Sequence, residues 1–199
     1  MATAKQNTKR RQEQIAQATL ALVAEHGLAA CNVAAVARRV GLVPSALYRH
    51  FRNKDHMLDA AVEVIQSKLL DNVRAVCARQ THAIERLHDL LQQHVQLIKK
   101  SRGIPQVIFS PDFYVDRPQR RARVCDGIRQ YLAAVADMIR EGQATGTIRP
   151  GLDAETAAVL FLGLVQPSAV LWNLSSGKFN VARHAEKAWP LFVQILTTG

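Results

Sequence analysis

Within ten residues the chain sets Ser45, Ala46, Tyr48, Arg49, His50 and Lys54. A hydroxyl, a methyl, a phenol, a guanidinium, an imidazole and an ammonium crowd into one short stretch. Such groups hydrogen-bond to the edges of planar bases and pair with phosphate oxygens; serine can serve several bases and alanine can meet a thymine methyl. They do not make a catalytic set. The chain holds no G-x-S-x-G, no phosphate-binding P-loop, no G-x-G-x-x-G and no close carboxylate pair on a plausible loop.

The elements that must position these groups are short. Gly41 can take the positive φ that ends a preceding helix, and Pro44 suits a first helical position, where its missing N–H costs nothing. Leu42, Leu47 and Phe51 are the apolar anchors, which leaves the polar residues on or beside the other face. Upstream, residues 32–40 predict a helix of about two turns with Asn32 as its N-cap. Helix, glycine turn and short helix form a helix-turn-helix, whose second helix enters the DNA major groove.

These residues resemble the TetR-type transcriptional regulators. The signature runs through Glu25-His26-Gly27-Leu28, Asn32-Val33 and Gly41 to Phe51, with Lys54 and Leu58 in place. Asn32 stands where threonine is usual and keeps a capping side chain. Val43 stands where serine or threonine usually caps the recognition helix, a loss of about 1 kcal/mol. The resemblance implies DNA contacts from Asn32, Arg39, Val43, Pro44, Ser45, Ala46, Tyr48, Arg49, His50 and Lys54. Tyr48, His50 and Lys54 fall at positions that meet the phosphate backbone. The ring of Tyr48 can also pack on the first helix, and Arg38 and Arg39 can equally be solvated.

Charge points the same way. The formal charge is +10, and residues 1–55 hold nine Lys/Arg against three Asp/Glu. More than half the excess therefore sits in about a quarter of the chain, as phosphate binding requires. Three cysteines with no ligand spacing argue against a disulfide framework or zinc site and fit a reduced cytoplasm. His82, His88 and His94 are spaced by six, which does not place them on one helix face, so no metal is expected. The N-terminus lacks the apolar core of a signal peptide, and no apolar run approaches the ~18 residues of a membrane span.

The fold class expected is all-α: an N-terminal three-helix DNA-binding domain, residues 1–55, joined through a long helix to a helical domain, residues 56–199. Residues 1–8 read as a polar basic arm, either a solvated tail or a DNA contact. Helix one runs from about 9 to 26 and stops at Gly27. Helix four, from about 53 to 77, touches the reader at one end and must reach into the later helices at the other. Further helices are expected at about 80–102, 118–143, 153–175 and 181–196, with a short apolar segment from Ile104 to Phe109.

The later domain carries more apolar surface than one layer needs. Phe109, Phe113, Tyr114, Gln166 and Trp172 are candidate pocket lining, or else ordinary core. Residues 157–165 are apolar nearly all round, so more than one face must be covered, within one subunit or by another. By resemblance this helix and the last one pair with the same two of a second subunit, through Phe161, Gly163, Leu164, Trp189 and Phe192. The resemblance implies a cytoplasmic homodimer, a repressor released from a near-palindromic operator by a small apolar or amphipathic effector. It implies no enzyme activity, no cofactor and no membrane partner. An architectural, nucleoid-associated DNA-binding protein on the same fold is the alternative.

Overall fold

The computed structural model describes residues 2–79, 82–101, 103–108 and 110–198, and all its regular elements are helical. In chain order these are α1 (Ala2–Ala30), α2 (Val33–Arg39), α3 (Pro44–Tyr48), α4 (Lys54–Cys77), α5 (Ala83–Lys100) and α6 (Ile104–Ile108). A 3-10 turn (Pro111–Phe113) precedes α7 (Pro118–Ala144), α8 (Ala154–Gly163), α9 (Gln166–Leu174) and α10 (Val181–Thr197). The chain forms two compact units. The first takes residues 1–67 with 101–124; the second takes 68–100 with 125–199.

In the first unit, α1 buries Ile15, Ala16, Leu20 and Val23 at helical spacing, α2 buries Val36 and Ala37, and α3 buries Leu47. Removing each large side chain from water contributes about 1.5–3 kcal/mol, enough to hold helices too short to stand alone. The helix α6 packs on α1. Gly103 makes this possible, because a Cβ there would lie 2.0 Å from the Leu20 carbonyl oxygen. In the second unit, α5 buries Leu87, Leu90, Leu91 and Val95 in a core shared with α7, α8, α9 and α10.

Several sequence expectations change. The helix α1 begins at Ala2, so the residues read as an arm have helical backbone; alanine, lysine and glutamine favour helix, and no breaker precedes Gly27. Gly27 does interrupt α1, at φ 79° and ψ 168°. The boundary at residues 55/56 shifts: the first unit takes residues up to 67 and recruits 101–124. Both α4 and α7 contribute residues to each unit.

The helix expected over 153–175 is two helices, because Pro167 lacks the N–H that would bond the preceding turn. The reading that no apolar run nears a membrane span is also corrected. Ala154–Leu174 is long and apolar enough by composition, with mean hydropathy 1.6. It breaks at Leu164 and Val165, and Ala157, Ala158 and Phe161 lie in the unit's core.

Candidate nucleic-acid interface

The turn between α2 and α3 is built by backbone hydrogen bonds. Gly41 sits at φ 69°. Its N–H donates to the Arg38 carbonyl at 3.3 Å, and the Leu42 N–H donates to the Ala37 carbonyl at 2.9 Å. That pair of bonds satisfies the last carbonyls of α2 and needs a left-handed residue at position 41. At the other end of α2, the Asn32 side-chain oxygen accepts from the Ala35 N–H at 2.9 Å, while its amide nitrogen donates to the Ala30 carbonyl at 3.3 Å.

The helix α3 starts without a side-chain cap. Val43 is extended there and Pro44 supplies the first helical position. Leu47 and Phe51 are buried and fix the helix by one face. The opposite face is open: Val43 is 62% and Tyr48 56% exposed, and Ser45, Arg49 and His50 are exposed beside them. Ala46 is half-buried. Six of the expected contact residues are thus exposed or half-buried on α3 and at its two ends.

Three others have different work. Arg39 forms a two-pronged ion pair with Glu25, both contacts at 2.6 Å, and this pair holds the Glu25 carboxyl below its usual range. Lys54 donates from Nζ to the Leu28 carbonyl at 2.6 Å, bridging the start of α4 to the end of α1. Asn32 is a cap. Arg39 and Lys54, both expected to reach DNA, tie α2 and α4 to α1 in the free chain. Their partners lie 14 and 26 residues away, beyond the reach of local pattern.

Arg52 was missed by sequence reasoning, though a cation directly after the anchor Phe51 is a visible signal. With Arg38 and Arg49 it stands exposed and makes no ion pair among the described residues. Arg49 at the end of α3, with Arg38 before it and Arg52 after it in the chain, leaves three exposed positive charges in this segment, of the kind that attracts a polyanion.

The expected pocket residues divide between the two units. Phe109 lies outside the described residues. Phe113 is fully buried in the first unit, and Tyr114 donates its hydroxyl to the Ile108 carbonyl at 3.0 Å. Gln166 and Trp172 are half-buried in the second unit. There, an open groove of about 280 Å³ lies along Ile84, Glu85, His88, Asp89 and Trp189. Deeper in that unit, burial holds the His94 imidazole down to about 4, and its Nδ1 is 3.1 Å from the Tyr131 hydroxyl. No cluster of three or more metal-ligating side chains occurs among the described residues.

The expected interface residues divide. Phe161 and Phe192 are core, with ring centroids 5.8 Å apart, and cannot offer surface to a second subunit. Gly163 is exposed, and Leu164 and Trp189 are half-buried. The apolar side chains left open on these helices are Val159 and Leu160 of α8, Leu171 and Leu174 of α9, and Leu191 and Ile195 of α10.

Comparison with known proteins adds to this geometry. Residues 15–68 match the bacterial regulatory proteins of the tetR family, and residues 63–195 match the C-terminal region of YsiA-like proteins. The chain is 26% identical to the nucleoid occlusion factor SlmA of Haemophilus influenzae over 198 residues, 94% of this chain and 88% of that protein. The fatty acid degradation regulator FadR of Bacillus halodurans superposes with a TM-score of 0.77 at 19% identity, covering 92% of this chain and 94% of that one. The transcriptional regulator FadR of Bacillus subtilis, solved in complex with stearoyl-CoA, gives 0.75 at 19% identity, covering 92% and 98%.

Proposed function

Since this chain belongs to the TetR family of bacterial regulatory proteins, we propose that it is a repressor that binds a near-palindromic operator as a homodimer and leaves it when an amphipathic effector binds. The observation that carries the reading is the open face of α3, with Ser45, Tyr48, Arg49 and His50 exposed above the buried Leu47. Ser45 and Arg49 would read base edges, while Tyr48 and His50 would hold phosphates. Val43, Pro44 and Ala46 would make apolar contacts at the groove wall.

The exposed apolar side chains of α8, α9 and α10 support a second copy as the occupant of that face, since an isolated subunit would leave them in water. Dimer symmetry then sets two readers about one DNA turn apart. A long-chain acyl thioester is the effector class we favour. It is amphipathic, and the relative from Bacillus subtilis was solved with stearoyl-CoA. To relieve repression a hundredfold, the effector must favour the non-binding state by about 3 kcal/mol. Such a protein works in the cytoplasm, at the nucleoid.

The test is binding to DNA flanking the protein's own coding region, at two salt concentrations with excess nonspecific competitor, before and after adding stearoyl-CoA. A discrete complex that survives competitor and dissolves on adding the thioester supports the whole reading. A complex indifferent to every acyl chain length tried removes the effector class. A second reading, an architectural DNA-binding protein without an effector, is favoured by the similarity to the nucleoid occlusion factor. It requires many bound sites and no response to small molecules.

A further inference from the structure

We propose that Arg120 is a positioning residue for DNA recognition, holding the first turns of α4 so that α3 is presented to the groove in one orientation. The inference rests on the DNA-binding reading above. Arg120 lies at the start of α7, within the first unit, and is only 4% exposed. Its Nε donates to Asp59 Oδ1 at 2.6 Å, and its Nη2 donates to Asp55 Oδ1 at 2.9 Å and to the Asp55 carbonyl at 3.2 Å. Nη1 donates to the Phe113 carbonyl at 2.9 Å. The guanidinium also lies 4.5 Å above the centre of the buried Phe113 ring. One planar group thus grips two carboxylates, two carbonyls and an aromatic face, which an ammonium on a flexible stem cannot reproduce.

The grip continues as a ladder between the two helices. Arg117 pairs with Asp55 at 2.9 Å, and Arg123 pairs with Asp59 at 3.2 Å and with Glu63 at 3.7 Å. The acidic groups recur every four residues on α4, and the arginines every three across the start of α7, from Arg117 just ahead of it. Each set therefore runs along one helix face. The Arg117 pairing holds the Asp55 carboxyl below its usual range, with Arg120 adding to it against the cost of burial.

What the ladder holds is the root of the reader. Lys54, the first residue of α4, donates to the Leu28 carbonyl, and only Arg52 and Asn53 separate it from the buried anchor Phe51. A slide or rotation at the start of α4 passes directly into the end of α3. Buried ion pairs add less to stability than apolar residues of similar size. Geometry is the more direct reason to keep six charged groups here.

The experiment uses the full chain. An operator is first selected from random duplexes with the wild type. Arg120→Lys, Arg120→Met and Asp59→Asn are then compared for affinity to that operator and to an unrelated duplex. Far-UV circular dichroism and thermal unfolding confirm that each is folded at the assay temperature. The expected result for Arg120→Lys and Asp59→Asn is at least a tenfold loss on the operator, with affinity for the unrelated duplex within twofold. Phosphate contacts tolerate imprecise presentation and base contacts do not. Should Arg120→Met unfold, the two milder variants carry the test. Operator affinity within twofold of wild type, or an equal loss on both duplexes, overturns the positioning role. A wild type that prefers no sequence at all overturns the sequence-specific operator reading, and this inference with it.

Discussion

Two glycines in the first unit separate two physical costs. Replacing Gly103 with alanine places a Cβ 2.0 Å from the Leu20 carbonyl oxygen, 2.8 Å from its carbon and 3.1 Å from its Cα. Carbon and oxygen in close contact stand about 3.3 Å apart, so α6 must retreat from α1 by more than about 1 Å. All three clashing atoms are backbone, and no rotamer relieves them. A gap of that size forfeits a quarter to a half of each dispersion contact across it, and overpacking of this kind costs about 3 kcal/mol. Replacing Gly41 with alanine meets nothing within 4 Å but keeps a φ of 69°, which costs a side-chain-bearing residue about 1 kcal/mol. In a chain of this length each kcal/mol lowers Tm by about 2–4 °C. Gly103→Ala should therefore melt about 6–12 °C below wild type and Gly41→Ala about 2–4 °C below, by circular dichroism at fixed concentration. A Gly103→Ala protein that melts at or above Gly41→Ala refutes the close packing of α6 on α1.

Three further outcomes are expected. The buried His94 titrates at about 4 when folded, against 6.5 ordinarily. The unfolded chain therefore takes up a proton that the folded chain refuses between those values. Stability is complete above pH 6.5 and falls by about 3 kcal/mol as pH drops toward 4. His94→Gln should flatten that stretch of a urea-midpoint series, and an unchanged slope would contradict the assignment. Glu25→Gln releases Arg39 from its ion pair. Nonspecific DNA affinity should then rise and the salt dependence steepen by about 0.9 per protomer; no change in slope would mean that Arg39 does not face phosphate even when free. Val43→Ser supplies the missing side-chain cap at the start of α3 while giving up a side chain already mostly in water. A net gain of about 0.5 kcal/mol is expected, and a lowered Tm would count against it.

What the sequence made legible was local. Asn32, Asp153 and Asn180 cap their helices through side-chain oxygens, as their residue types imply, at 2.9, 2.8 and 3.0 Å. Gly41 and Pro44 set the turn and the helix start because a positive φ and a missing N–H are properties of single residues. Interactions between distant residues were hidden. Nothing near Arg39 in the sequence points to Glu25, and nothing near Gly103 points to Leu20. The ladder of Arg117, Arg120 and Arg123 on Asp55, Asp59 and Glu63 left a trace, two regular charge spacings. Pairing them requires knowing that α4 and α7 are neighbours. Phe161 was misassigned because a helix that is apolar all round does not say which face is inside; the structure buries Phe161 and exposes Val159 and Leu160. Pro167 is a visible breaker, but the apolar pattern on both sides of it masks the break.

The most direct test of DNA recognition by α3 is selection of bound duplexes from a random pool, with the protein-to-DNA stoichiometry of the winners measured by analytical ultracentrifugation. The expected result is one near-palindromic motif, its half-sites about one helical turn apart, with two protomers bound to each duplex, and its enrichment abolished by Ser45→Ala with Arg49→Ala. A pool with no enriched motif, or one whose enrichment survives the loss of both side chains, would contradict it.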